Sequence, residues 1–350
     1  MSMVPKPRPN IEKMAGYTPG EQPRPGERII KLNTNENPFP PSPAVMEAIR
    51  TIDPERLRRY PNPSAEDFRK TAARVHGVSP DMILAGNGSD EILAIAVRTY
   101  LGPGDTLAYP DPTYSLYSVL ADMGGVKVAT VPWTVDWELP LSALLETGAR
   151  AIFFANPNAP TGTYVPIDRI RELARRFSGL ILVDEAYVDF ADQNCLGLLR
   201  EFSHLVISRT LSKGYGLAGL RFGYALAAPE IIAEMNKVKD SYNCDAVATA
   251  AATAALNDQA YARRSWDHVR RERTRLAQAL TRMGWQVIPS QANFVLATCP
   301  TGDANSVYRR LKAQGILVRF FDKPGLADKI RITVGTTEEN DQVLAALAVP

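Results

Sequence analysis

Seven short apolar runs, set apart by helix-like stretches, leave few folds open to this chain. They are Met82-Ile83-Leu84, Thr106–Tyr109, Val126–Val131, Ala151–Ala155, Leu180–Val183, Leu205–Ser208 and Phe222–Ala227. Apolar runs this short, lacking polar alternation, suit strands buried on both faces. Strands alternating with helices predict an α/β fold with a mostly parallel sheet flanked by helices. Helix signals support the alternation. Ser42-Pro43 is a good helix start, with Val45, Met46 and Ile49 on one face. Helices are also expected from about Ala65 to His76 and from Ile92 to Leu101.

Before and after this region the pattern differs. Residues 1–42 are proline-rich and read as an arm draped on a surface, with one apolar piece at Ile29-Ile30-Lys31-Leu32. Beyond Pro229 come helical stretches at Ile231–Val238, Ala246–Leu256 and about Tyr261–Met283, the last heavily charged, as a solvated face would be. Strands are expected at Trp285–Ile288, Phe294–Ala297, Ile316–Arg319 and Lys329–Val334, and a helix near Asn305–Gln314. The division this suggests is an arm at 1–42, a large domain at 43–250 and a smaller α+β domain at 251–350.

Composition excludes several function classes. A formal net charge of +2 over 350 residues, with no long basic run, implies no nucleic-acid partner. Cys195, Cys244 and Cys299 are odd in number and far apart, which suits a reducing compartment and offers no metal-ligand spacing. His76, His204 and His268 are equally isolated, so no metal is expected. The opening residues lack a signal-peptide core, and no apolar run approaches the roughly 18 residues of a membrane helix. A cytoplasmic location is the expectation.

Ligands of open α/β sheets bind at the carboxyl ends of the strands, and the polar motifs of this chain fall there. Gly86-Asn87-Gly88-Ser89-Asp90-Glu91 joins a strand to a helix, where free N–H groups suit a phosphate; a capped turn would also use these residues. Asp111-Pro112-Thr113-Tyr114 places a tyrosine that either stacks on a flat ring or joins the core. Asn156–Gly162 offers Asn158 as a donor to a phenolate-type oxygen, or serves only as a rigid loop. In Asp184-Glu185-Ala186-Tyr187, Asp184 ends a strand, where burial is costly unless a cation meets it. A protonated pyridine nitrogen is one such cation and Mg²⁺ another, but no G-x-x-x-x-G-K-[ST] loop accompanies it. Finally, Ser208–Tyr224 carries Ser212, Lys213, four glycines and Arg221. A lysine at the edge of a cleft can lose its proton and become a nucleophile, while Ser212 and Arg221 suit an anion. The match to G-x-G-x-x-G at Gly214–Gly219 is discounted, because another strand rather than a helix follows.

These motifs, together with Leu32-Asn33-Thr34-Asn35-Glu36-Asn37-Pro38, Arg59-Tyr60-Pro61 and Ile330–Thr336, resemble the fold-type I pyridoxal-phosphate aminotransferases over nearly the whole chain. Within that family the chain is most similar to the histidinol-phosphate aminotransferases. The resemblance implies pyridoxal 5'-phosphate on Lys213, Asp184 against the pyridinium nitrogen, Tyr187 and Asn158 at the ring oxygen, and Tyr114 stacked on the ring. Ser89, Asp90, Ser212 and Arg221 would hold the phosphate, helped by Tyr60 from the other subunit of a homodimer. Arg331 would bind the carboxylate of glutamate; Tyr17, Asn35 and Arg319 would hold the phosphate end of the substrate. The implied reaction is amino transfer between L-histidinol phosphate and 2-oxoglutarate, in histidine biosynthesis. Transamination of an aromatic amino acid (phenylalanine or tyrosine) is the alternative, and decarboxylation of a phospho-amino acid a further one. The small domain would be built from both chain ends. Asn158-Ala159-Pro160 stands where many relatives have Asn-Asn-Pro, which touches only the loop's packing.

Overall fold

A computed structural model describes residues 4–24, 26–27 and 29–348. The start of the proline-rich arm, at 1–3, lies outside the described residues. Seven strands form the larger sheet: β1 (Ile83–Gly86), β2 (Thr106–Asp111), β3 (Lys127–Pro132), β4 (Ala151–Ala155), β5 (Leu180–Asp184), β6 (Leu205–Thr210) and β7 (Gly223–Ala227). Their spatial order is β1-β7-β6-β5-β4-β2-β3. Strand β7 runs antiparallel to both neighbours, and the other pairs are parallel.

Side chains alternate across such a sheet, so each strand feeds two cores. Ile152 and Phe154 of β4 face one core with Phe68, Leu173 and Ala252; Ala151 and Phe153 face another with Ile92, Tyr117 and Ile232. Phe153 and Phe154 are fully buried, and each contributes about 1.5–3 kcal/mol of apolar transfer energy. Ser42 caps the helix Pro43–Arg50 by accepting from the Ala44 N–H at 3.2 Å. Only part of the face expected there is covered: Val45 is buried, whereas Met46, a helical step round from Val45 and Ile49, is 47% exposed.

A second, antiparallel sheet comprises β8 (Gln286–Val287), β9 (Phe294–Thr298), β10 (Arg319–Phe320) and β11 (Lys329–Thr333), in the order β10-β11-β9-β8. Its core takes Leu276 and Leu280 from the long helix Gln259–Arg282, and Leu32 from the arm. The expected single strand at Ile316–Arg319 is two. Ile316-Leu317 pairs in parallel with Ile30-Lys31 of the arm, while Arg319-Phe320 joins β11. The chain changes partner at the buried Val318.

The long helix is more than a solvated face. Its Arg270 donates to Asp189 O and Ala191 O at 3.0 Å, and Arg273 to Phe190 O at 3.1 Å and Ala292 O at 2.9 Å. These bonds tie the segment after β5 to the segment before β9. Residue 250, the expected domain boundary, falls within the helix Ala246–Asn257, whose Ala248, Ala251 and Ala252 pack on the larger sheet.

Candidate active site

The carboxyl ends of β1, β2, β5 and β6 open into a cavity of about 300 Å³, closed on its other side by the arm and the smaller sheet. Twelve of the fourteen site residues expected from sequence line it: Tyr17, Asn35, Ser89, Asp90, Tyr114, Asp184, Tyr187, Ser212, Lys213, Arg221, Arg319 and Arg331. Asn158 and Tyr60 do not.

Lys213 follows β6 in a turn that needs a glycine beside it. A Cβ on Gly214 would lie 2.0 Å from the Asp189 carboxylate. The half-buried Lys213 Nζ donates to the Thr34 carbonyl of the arm at 2.8 Å. Thr34 in turn is bonded through its side chain to Lys31 and Glu36, which pair with each other. Burial pulls the Lys213 amine down to about 8; Glu36 opposes the shift, and Arg331 and Arg221 add to it. Of the two cations, Arg221 has the lesser effect.

Asp184, 3% exposed at the end of β5, accepts from the Tyr117 hydroxyl at 3.2 Å through Oδ2, while its Oδ1 has no partner. Burial pushes the carboxyl up to about 7 against that hydrogen bond. A buried carboxylate with an open oxygen calls for a cation or donor from the cavity. On the β1 side, helix Ser89–Tyr100 begins at Gly88 with no side-chain cap, so its first N–H groups are free. A Cβ on Gly88 would meet Arg221 Nη2 at 2.7 Å, and one on Gly223 would meet the Ser89 nitrogen at 2.4 Å. Both glycines therefore let backbone and guanidinium converge on one small space. Arg221, at φ +50°, bonds Asp90 Oδ2 at 3.0 Å and Ser212 Oγ at 3.2 Å; Tyr114 donates to Asp90 Oδ1 at 2.9 Å. An open acid at one end and free N–H groups with an arginine at the other fit a group that carries a protonated ring nitrogen and a phosphate.

Three expected residues sit differently. Asn158 is fully buried and braces its loop, donating to Pro112 O at 3.1 Å and Thr161 Oγ1 at 2.9 Å and accepting from Thr113 at 2.8 Å. Asn35 lines the cavity, but its side chain is engaged with the Tyr187 hydroxyl and Thr333, both at 3.0 Å. Tyr60 stands apart, 81% exposed and stacked on Tyr242 with ring centroids 4.5 Å apart.

At the arm side, Tyr17 meets Tyr114 edge-on at 6.0 Å. Arg331 donates to Asn33 O at 2.8 Å, its Nε lies buried without a partner, and burial lowers it to about 10. Sequence reasoning gave no role to Thr34, Glu36, Tyr117 or Phe321. Thr34 and Glu36 lay inside a quoted motif, and Tyr117 lies one helical turn past Tyr114. Phe321 lies just past the end of β10, two residues on from Arg319, and both line the cavity.

Among the described residues no group of acidic, histidine and cysteine side chains could hold a metal ion, and no helix is long and apolar enough to cross a membrane.

The fold and the lysine-centred cavity are those of an aminotransferase: the family model of aminotransferase classes I and II matches residues 27–347, and the chain belongs to that family. It is 47% identical over 340 residues to histidinol-phosphate aminotransferase 1 of Trichormus variabilis, covering 97% of each chain, and 46% identical over 341 residues to the histidinol-phosphate aminotransferase of Syntrophotalea carbinolica, covering 97% and 98%. The crystal structure of the Sinorhizobium meliloti histidinol-phosphate aminotransferase in complex with pyridoxal-5'-phosphate superposes with a TM-score of 0.90 at 28% identity, over 99% of this chain and 98% of that one. Within the family, the chain falls among the histidinol-phosphate aminotransferases.

Proposed function

We propose that this protein transfers an amino group between L-histidinol phosphate and 2-oxoglutarate, with pyridoxal 5'-phosphate held by Lys213. The observation that carries the reading is the pairing of Lys213 with two guanidiniums, Arg319 and Arg331, in one cavity. One end of the cavity offers an amine, and the other offers charge for two anionic substrates. When bound, the cofactor supplies an aldehyde for the lysine and an electron sink for the substrate's amino carbon.

The chain's own residues do the rest. Asp184, through its open Oδ1, would keep the ring nitrogen protonated. The free N–H groups of helix Ser89–Tyr100, with Asp90, Ser212 and Arg221, hold the phosphate. Tyr114 would stack on the ring, and Tyr187 and Asn158 would hold the ring oxygen. Lys213 Nζ, an amine lowered to about 8, would take the proton from the substrate's amino carbon and deliver it to the carbon that carries the cofactor's aldehyde. Arg331 binds the carboxylate of glutamate, and Arg319, Tyr17 and Asn35 hold the phosphate end of the donor. Tyr60 reaches the cofactor phosphate of a partner subunit, which makes the working unit a homodimer. The chain would divide into an arm at 1–42, a large domain at 43–250 and a smaller domain at 251–350, with the helix Ala246–Asn257 at the boundary staying in the core of the large one.

The rings of Tyr17, Tyr114 and Phe321 in the cavity favour one second reading, an aromatic amino acid as donor. Steady-state kinetics with 2-oxoglutarate separates the two. Histidinol phosphate should give the highest kcat/KM; a higher value for phenylalanine or tyrosine would replace the substrate and leave the chemistry. A Lys213→Ala variant with full turnover would remove the whole reading.

A further inference from the structure

Arg319 and Arg331 are direct cross-strand partners on β10 and β11. Like charges in that position repel, and Arg319 is among the groups that lower Arg331. No carboxylate is hydrogen-bonded to either guanidinium among the described contacts: Arg331 has the Asn33 carbonyl, and its Nε has nothing. Both instead lie against one aromatic ring. The Arg319 and Arg331 guanidinium carbons are each 5.4 Å from the centroid of Phe321, and Arg331 also lies 5.1 Å from Phe294. Phe321 itself lines the cavity and packs behind against Ile288, Leu296 and Leu326.

We propose that Phe321 is a positioning residue that holds the two arginines as separate anion subsites, so that one receives a carboxylate and the other a phosphate. The inference rests on the two-substrate reading above. The ring quadrupole attracts a cation on either side of it. An aromatic ring can therefore neutralise part of the repulsion without consuming the charge, as a carboxylate would. Arg331, within reach of both Phe294 and Phe321, is the more restrained of the two; Arg319, against one ring only, keeps the freedom to follow a bulkier dianion. Without the ring, each guanidinium is free to fold back onto backbone carbonyls or to share one anion with the other. Phe321 touches neither cofactor nor reacting atoms in this role; it acts through the arginines.

The test uses the cofactor-loaded protein with two unreactive probes, inorganic phosphate and succinate, titrated by calorimetry. Phe321→Leu keeps an apolar side chain and removes the ring; Phe321→Tyr keeps the ring. The Leu variant is expected to bind both probes about five- to thirty-fold more weakly, the span of two ring–cation contacts of ordinary strength. The Tyr variant should stay within about threefold of the parent, the weak end of one such contact. In turnover, Leu should raise KM for histidinol phosphate and 2-oxoglutarate with little change in kcat. Phe321→Met, which fills a similar volume without a ring, replaces Leu if that variant does not fold. Parent-like binding in Leu or Met overturns the inference, as does a folded Tyr variant that fails to restore binding, or a fall in kcat with KM unchanged. If the parent binds neither probe, the two-substrate reading falls and this inference with it.

Discussion

An amine that must be neutral to react is helped by each cation around it and hindered by each anion. Lys213 has Arg331 and Arg221 on one side of that balance and Glu36 and Asp90 on the other, with burial outweighing all four and the amine held at about 8. The neutral fraction grows as pH rises through the pKa. Attachment of pyridoxal phosphate to the cofactor-free protein, followed by absorbance, should therefore speed up about tenfold per unit below pH 8 and level off above it. Glu36→Gln removes an anion that favours the charged amine, so the midpoint should move to lower pH; a move upward would contradict the assignment. Asp184→Asn keeps the shape and loses the charge. Loss of one partner of a buried ion pair costs about 3–5 kcal/mol, so cofactor affinity should fall by roughly a hundredfold or more, read by equilibrium dialysis. Lys213 and Asp184 were legible in the sequence because Asp184 ends one buried strand and Lys213 lies in the turn just after another. Tyr117 and Thr34 were not. Their bonds to Asp184 and Lys213 span 67 and 179 residues, and a contact of that span leaves no pattern in a single chain.

At the scale of elements, the cradle depends on what is missing from β7 and from the turn after β1. A methyl group at Gly223 would press on the Ser89 backbone nitrogen at 2.4 Å, and backbone cannot swing aside. Gly223→Ala should cost about 1–3 kcal/mol in denaturant unfolding and weaken cofactor retention as well, because the helix start it displaces is the one proposed to hold the cofactor phosphate. The edge strand β3 is mostly exposed, with only Val131 buried, and carries Lys127 and Thr130; the other six strands of the larger sheet could be read in advance, because burial on both faces leaves apolar runs. The break at Val318 could not. Ile316 to Arg319 presents one continuous pattern, and only the choice between two hydrogen-bonding partners, the arm and β11, divides it. The long helix misled for a related reason: Arg270 and Arg273 look solvent-bound in sequence, yet their guanidiniums are spent on backbone carbonyls of a distant segment.

At the scale of the molecule, the cavity is walled by two sheets and an arm, and each supplies a different kind of group. The larger sheet brings the lysine and the acid, the smaller brings the arginines, and the arm brings the carbonyl that holds the lysine. Tyr60 remains outside, stacked on Tyr242 and exposed. If it serves a partner's cavity, mixing two impaired variants must repair one site in each hybrid. A hybrid of Lys213→Ala with Tyr60→Ala holds one cavity with both residues intact, so activity should rise above that of either parent after refolding together. No rise would return Tyr60 to its own chain.

The pairing of Ile30-Lys31 with Ile316-Leu317 also bears on the order in which the protein is made. Synthesis delivers the arm long before its strand partner, and domains fold as they emerge. The larger sheet, complete by Ala227, has its lysine in place while the arm still lacks a mate. The arm must then wait, unpaired, through nearly ninety further additions (227 to 316) before its partner strand is made. A nascent chain stalled before that point would carry a formed lysine loop under an open roof.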